Sequence, residues 1–126
     1  MLKELKIAST NYTPEVHMNP ESGILSIKGR SLPENINDFY HVLYDWLTEY
    51  ALNPQEETKL DISFEYYNSS TARKLIELIF ILEEINESGK SVEVTWSYQK
   101  GDLLLKENGE EIMSVVELPF KMVELA

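Results

Sequence analysis

The sequence predicts an α/β or α+β layer domain, a mixed sheet with helices on one face and water on the other. Three observations predict it. Residues 60–66 and 92–98 each alternate apolar and polar side chains with the two-residue period of a half-buried strand. A long amphipathic stretch lies between them, and strand, helix and strand with short joins imply a parallel pair with a right-handed crossover. The polar faces of the two strands, Asp61/Ser63/Glu65 and Glu93/Thr95/Ser97, exclude burial between two helical layers, which gives nearly continuous hydrophobics.

The elements come in order. Residues 14–18 and 23–29 read as two strands joined by a Pro/Ser/Gly turn, with Leu25 and Ile27 facing inward. Ser31-Leu32-Pro33-Glu34 matches a capping box, so a first helix starts there, or at Asn35 or Asn37. Ile36, Phe39, Tyr40, Leu43, Trp46, Leu47 and Tyr50 recur at helical spacing, and Asn53-Pro54 ends the pattern. The strongest helix spans about residues 70–88 and stops at Gly89. Its Leu75, Leu78, Ile79, Leu82 and Ile85 share one face at 100° per residue, and that face is expected to lie on the sheet. Residues 102–116 admit two readings. Asn108-Gly109 suits a hairpin turn; Leu103, Leu104, Ile112 and Val116 suit a third helix. Residues 118–125 close the chain as a strand, for an expected order of β-β-α-β-α-β-α-β within one domain, residues 1–126.

Composition bounds the function. The chain has 126 residues, 43% apolar and 26% charged, which is ordinary globular usage. Its 22 acidic residues outweigh 11 basic ones, for a net charge of −11. Such a surface repels phosphate backbones and anionic lipid, so neither nucleic acid nor membrane is expected as a partner. Without cysteine, disulfide scaffolds, thiolate metal sites and Cys nucleophiles are excluded. The first residues lack the apolar run and cleavage site of a signal peptide, so a cytoplasmic location is expected.

Chemistry-bearing motifs are sparse. No phosphate-binding Gly-rich loop, His-Glu-x-x-His or Gly-x-Ser-x-Gly pattern occurs. A hydrolase would have to draw on Ser69, His41 and Asp45, which no spacing supports, so no catalytic residue and no cofactor is assigned. Glu83, Glu84, Glu87, Glu107, Glu110 and Glu111 read as solvated acidic faces rather than a metal site. Phe80 is unusual, because it falls on the polar side of the long helix among Arg73, Glu77, Glu84 and Glu87. It is either packed under a loop or offered to a partner.

The informative stretch is Tyr66-Tyr67-Asn68-Ser69-Ser70-Thr71-Ala72, where an inner strand passes into the long helix. Asn68 or one of the hydroxyls must cap that helix, whose first N–H groups lack internal partners. Capping accounts for one polar residue but not for three consecutive hydroxyls. A phosphate added here would sit at the positive end of the helix dipole, which suits a phosphorylation switch.

These residues resemble the SiaC family of bacterial regulatory phosphoproteins. Besides the Tyr-Tyr-Asn-Ser-Ser-Thr turn, the resemblance rests on Thr13-Pro14, Gly23-x-Leu25-x-Ile27-x-Gly29 and Ser31-x-Pro33-Glu34-Asn35. Asp45-Trp46, Trp96-x-Tyr98 and Pro119-Phe120 extend it over nearly the whole chain. It implies a fold like the STAS domain of anti-sigma-factor antagonists, and a helix for residues 102–116, where Glu107-x-Gly109 fits. It implies a non-enzymatic partner-switching role, with a cognate Ser/Thr kinase and a metal-dependent phosphatase acting on the turn. The unphosphorylated form would bind and activate a GGDEF-type diguanylate cyclase. By position the acceptor is Ser69, with Ser70 and Thr71 as alternates. Asn68, Ser70, Arg73, Glu77 and Phe80 are expected to form the partner-binding face. The alternatives are a small hydrolase using Ser69 and a plain interaction scaffold.

Overall fold

The computed structural model describes residues 2–126. Its elements are β1 (Leu5–Ile7), β2 (Glu15–Asn19), β3 (Ile24–Ser31), α1 (Ile36–Tyr50), β4 (Glu57–Tyr67), α2 (Ser69–Glu87), β5 (Ser91–Gln99), α3 (Leu103–Val115) and β6 (Phe120–Leu125). The strands lie side by side in chain order, β1 to β6. β1, β2 and β3 pair antiparallel, and β3 through β6 pair parallel. The sheet is therefore mixed, as the alternating patterns predict. Among the described residues no helix is long and apolar enough to cross a membrane.

The expected order lacks β1. Three residues carry no readable periodicity, and this strand is held by distant partners. Leu5, Lys6 and Ile7 pair with Met18, His17 and Val16. The Trp46 indole donates to the Lys3 carbonyl at 2.7 Å, and His17 hydrogen-bonds the Glu4 carboxylate.

One face of the sheet is buried under the helices. Leu25, Ile27, Leu60, Ile62, Val94 and Trp96 point into a core closed by Leu43 and Leu47 of α1 and by the whole predicted stripe of α2. The opposite face carries Asp61, Ser63, Thr95 and Ser97, all half-buried. A bulge shapes the upper end of β4: Gly29 pairs with Phe64, but Arg30 pairs with Tyr66. The extra residue, Glu65, reverses the alternation. Tyr66 consequently faces solvent, while Tyr67 turns into the core at 5.3 Å from Phe64 and 5.8 Å from Trp96, ring centre to centre.

One local expectation needs correction, and one choice between two readings is decided. α1 is capped by Asn35, whose Oδ1 accepts the Asp38 N–H at 3.2 Å. Ser31 does not cap it, because Ser31 is the last residue of β3 and is fully buried. The second concerns residues 102–116. They form α3, with Asp102 Oδ1 accepting the Leu105 N–H at 3.1 Å, so the hairpin reading fails. Leu105, Ile112 and Val116 face the core, whereas Leu103 and Leu104 are exposed. Gly109 has a packing reason. A Cβ there would stand 2.5 Å from Trp96 Cδ1, and the Trp96 indole already donates to the Leu105 carbonyl at 3.0 Å. The helix backbone rests on that ring.

Candidate functional site

The turn between β4 and α2 gathers the residues that the sequence singled out. Asn68 is the N-cap in extended conformation, and its Oδ1 accepts the Thr71 N–H at 3.0 Å. The Asn68 N–H in turn donates to the Ser31 carbonyl at 3.2 Å, so the end of β3 fixes the turn. Ser69 and Ser70 open the helix and are exposed.

Thr71 differs. It is fully buried, and its hydroxyl lies 2.9 Å from Asn68 Oδ1 and 2.8 Å from Ser31 Oγ. Ser31 Oγ lies a further 2.7 Å from the Tyr40 hydroxyl on α1. Burial pushes the Tyr40 phenol up to about 12, against the opposing effect of its hydrogen bond to Ser31 and of the nearby Thr71 hydroxyl. It stays neutral and can donate. Three adjacent hydroxyls thus have two fates, and only Ser69 and Ser70 are open to a modifying enzyme.

Two shallow grooves meet at Ser69. One, of about 290 Å³, runs between the starts of α1 and α2 past Ile36, Asn37, Ser69, Ser70, Arg73 and Lys74. The other, of about 370 Å³, lies between α2 and α3, with Asn68, Ser69, Ala72 and Ile76 facing Asn108, Glu111, Ile112 and Val115. Tyr67 lines its floor. Burial and the Glu111 charge raise the Tyr67 phenol to about 12, opposed by the neighbouring Asn108 amide.

Farther along α2, Arg73, Glu77 and Phe80 are exposed on one side of the helix. Lys74 Nζ lies 3.3 Å from a Glu77 carboxylate oxygen. Phe80 is 46% exposed, so no loop covers it. Other exposed apolar residues that the sequence pattern does not assign to a surface are Tyr66, Leu103, Leu104 and Val115. The bulge explains Tyr66, and the 13-residue α3 aims Leu105 rather than its neighbours at the sheet.

The hydrolase constellation is not assembled. His41 pairs with Asp45 at 2.9 Å on the exposed flank of α1. It lines a different groove, with Tyr44, Lys74, Glu77 and Leu78, in which Ser69 takes no part. Among the described residues no group of three or more His, Asp or Glu side chains converges as metal ligands do.

Comparison with known proteins agrees with the geometry. Residues 7–125 match the model of the SiaC family regulatory phosphoproteins. An uncharacterized protein of Pseudomonas aeruginosa strain UCBPP-PA14 is 28% identical over 119 residues, 94% of each chain. The structure of SiaC of Pseudomonas aeruginosa superimposes with a TM-score of 0.89 at 27% identity, covering 97% of this chain and 98% of that one. A chain in the crystal structure of the Pseudomonas aeruginosa diguanylate cyclase SiaD in complex with its activator SiaC gives 0.90 at 27% identity, covering 96% and 99%. With the family model spanning all but the chain's ends, this protein belongs to the SiaC family of regulatory phosphoproteins.

Proposed function

We propose that this chain is a non-enzymatic partner switch whose unphosphorylated form binds and activates a diguanylate cyclase, and that phosphorylation of Ser69 releases the cyclase. A cognate Ser/Thr kinase adds the phosphate and a metal-dependent phosphatase removes it. The observation that carries the reading is the exposed Ser69 hydroxyl at the first position of α2, on the ridge shared by two grooves. The solved complex between a SiaC and a diguanylate cyclase supports the choice of partner.

The physics of the switch is local. A phosphoserine brings about −1.5 to −2 charges and three acceptor oxygens at neutral pH. The first N–H groups of α2 and the nearby Arg73 and Lys74 can receive that charge without unfolding the domain. A partner surface seated on a neutral hydroxyl must instead strip a hydrated dianion, which disfavours the complex by a few kcal/mol. Along the same helix face, Asn68, Ser70, Arg73, Glu77 and Phe80 form the docking surface. Phe80→Ala should weaken cyclase binding by about 1–3 kcal/mol, as truncating an aromatic anchor does. Because Phe80 is 46% exposed, its loss should leave stability within about 0.5 kcal/mol, and calorimetry paired with urea unfolding separates the two effects.

Peptide mass spectrometry of the protein purified from its native host tests the reading. Phosphate on Ser69 supports it. Protein found unmodified under every growth condition, with binding indifferent to kinase treatment, would reduce it to a plain scaffold.

A further inference from the structure

Resting on the reading of Ser69 as acceptor, we infer that Thr71 is a positioning residue that decides which hydroxyl of the turn is phosphorylated. It does so through a one-way chain of buried hydroxyls. The direction of that chain is set by its end groups. Asn68 Oδ1 and the Ser31 carbonyl can only accept, and they lie 2.9 and 3.2 Å from Thr71 Oγ1, so the Thr71 hydroxyl donates toward them. Having spent its proton, Thr71 Oγ1 must accept from Ser31 Oγ at 2.8 Å. Ser31 has then spent its own proton, and must accept from the Tyr40 phenol at 2.7 Å. Every hydroxyl donates once, and among the described residues no buried side-chain polar atom is left unpartnered.

The chain ties three elements to one atom. Tyr40 belongs to α1, Ser31 ends β3 and Thr71 lies in the first turn of α2; all three are at most 2% exposed. The chain terminates on Asn68 Oδ1, which also accepts the Thr71 N–H. Asn68 is therefore held by two bonds from a single buried residue, where an ordinary cap is held by one. The residue it precedes, Ser69, is fixed in place and offered outward. Ser70 is also exposed, but it lies one step around the helix, in the groove with Arg73 and Lys74 rather than on the ridge between the two grooves. A rigid turn lets a kinase tell these neighbours apart; a loosened one exchanges their positions.

Thr71→Val keeps the shape and removes the hydroxyl, Thr71→Ser keeps the hydroxyl, and Tyr40→Phe cuts the chain at its far end without touching the turn. Each variant, with wild type, is expressed in the native host for phosphopeptide mapping, and is separately studied by amide hydrogen exchange. Wild type and Thr71→Ser should carry phosphate on Ser69 alone. Thr71→Val should divide it between Ser69 and Ser70, with amides 69–72 exchanging roughly tenfold faster. Tyr40→Phe should move both readouts the same way by a smaller factor. An unchanged site distribution and unchanged exchange in Thr71→Val would overturn the inference, as would failure of Thr71→Ser to restore both. Exchange needs no kinase, so it decides the anchoring even where wild type carries no phosphate, a result that would remove the proposed switch instead.

Discussion

Two helices of this protein begin in the same way at the same end of the sheet. Asn68 Oδ1 accepts the Thr71 N–H at 3.0 Å before α2, and Asp102 Oδ1 accepts the Leu105 N–H at 3.1 Å before α3. The residues behind the two caps differ. After Asp102 come the exposed apolar Leu103 and Leu104, and α3 is fastened from below by Trp96. After Asn68 come two exposed hydroxyls and a buried one that fastens α2 to β3 and α1. The charge of the cap also differs. A carboxylate at Asp102 already complements the positive helix end, and would repel a second anion beside it. The neutral amide of Asn68 satisfies the same N–H and leaves the helix field available to a phosphate. Capping stabilises both helices; only the α2 start is suited to change its charge.

The largest way to disturb one side of this comparison is Gly109→Ala. The new methyl would meet Trp96 at 2.5 Å, and Trp96 is pinned by its bond to the Leu105 carbonyl. Overpacking should cost about 3 kcal/mol, outweighing the roughly 1 kcal/mol that alanine gains over glycine in a helix. Urea unfolding reads the difference, and a stabilised variant would mean that α3 does not rest on the ring.

The caps can be compared directly. Asp102→Ala should cost about 1 kcal/mol, the usual loss of an N-cap. Asn68→Ala should cost about 2 kcal/mol, because it also takes the Thr71 hydroxyl's better acceptor. Equal losses would show that the hydroxyl chain adds nothing to the cap.

A smaller effect separates the two phenols beside these helix starts. Tyr40 serves the α2 chain, Tyr67 faces Asn108 and Glu111 of α3, and burial holds both up to about 12 against an ordinary 10. The unfolded phenols lose their protons first, so their contribution is complete below pH 10. It is lost as the pH rises toward 12, where the folded protein must ionise them in the core. Stability should therefore fall over that window. Tyr40→Phe should flatten the fall more than Tyr67→Phe, because Tyr40 is 2% exposed and Tyr67 9%. Chemical unfolding at pH 8, 10 and 11 checks the order.

The same contrast explains what the sequence revealed. The strands β4 and β5, the inward stripe of α2 and the position of the Asn68 turn can be read from periodicity and end signals within one segment. Ser31 looked like a cap because Glu34 stands at the right spacing after it, yet its hydroxyl serves Tyr40 and Thr71, nine and forty residues away. Thr71 stands four residues before Leu75 and seven before Leu78, so helical spacing separates it from Ser69 and Ser70, but its partners Ser31 and Tyr40 lie in other segments. Asn108-Gly109 looked like a turn for an equivalent reason: the glycine answers to Trp96 on another element. β1 pairs with β2, and the residues just before it, Lys3 and Glu4, are held by Trp46 and His17. Segmental periodicity was legible; contacts between segments were not.

The switch at Ser69 is tested most directly by titrating a diguanylate cyclase from the same organism with two forms of this protein in a calorimeter. One is unmodified, and the other is phosphorylated on Ser69 and verified by intact mass. The unmodified form and Ser69→Ala should bind tightly, with at least a tenfold loss on phosphorylation, about 1.4 kcal/mol or more. Equal affinity of the phosphorylated and unmodified forms would contradict the switch.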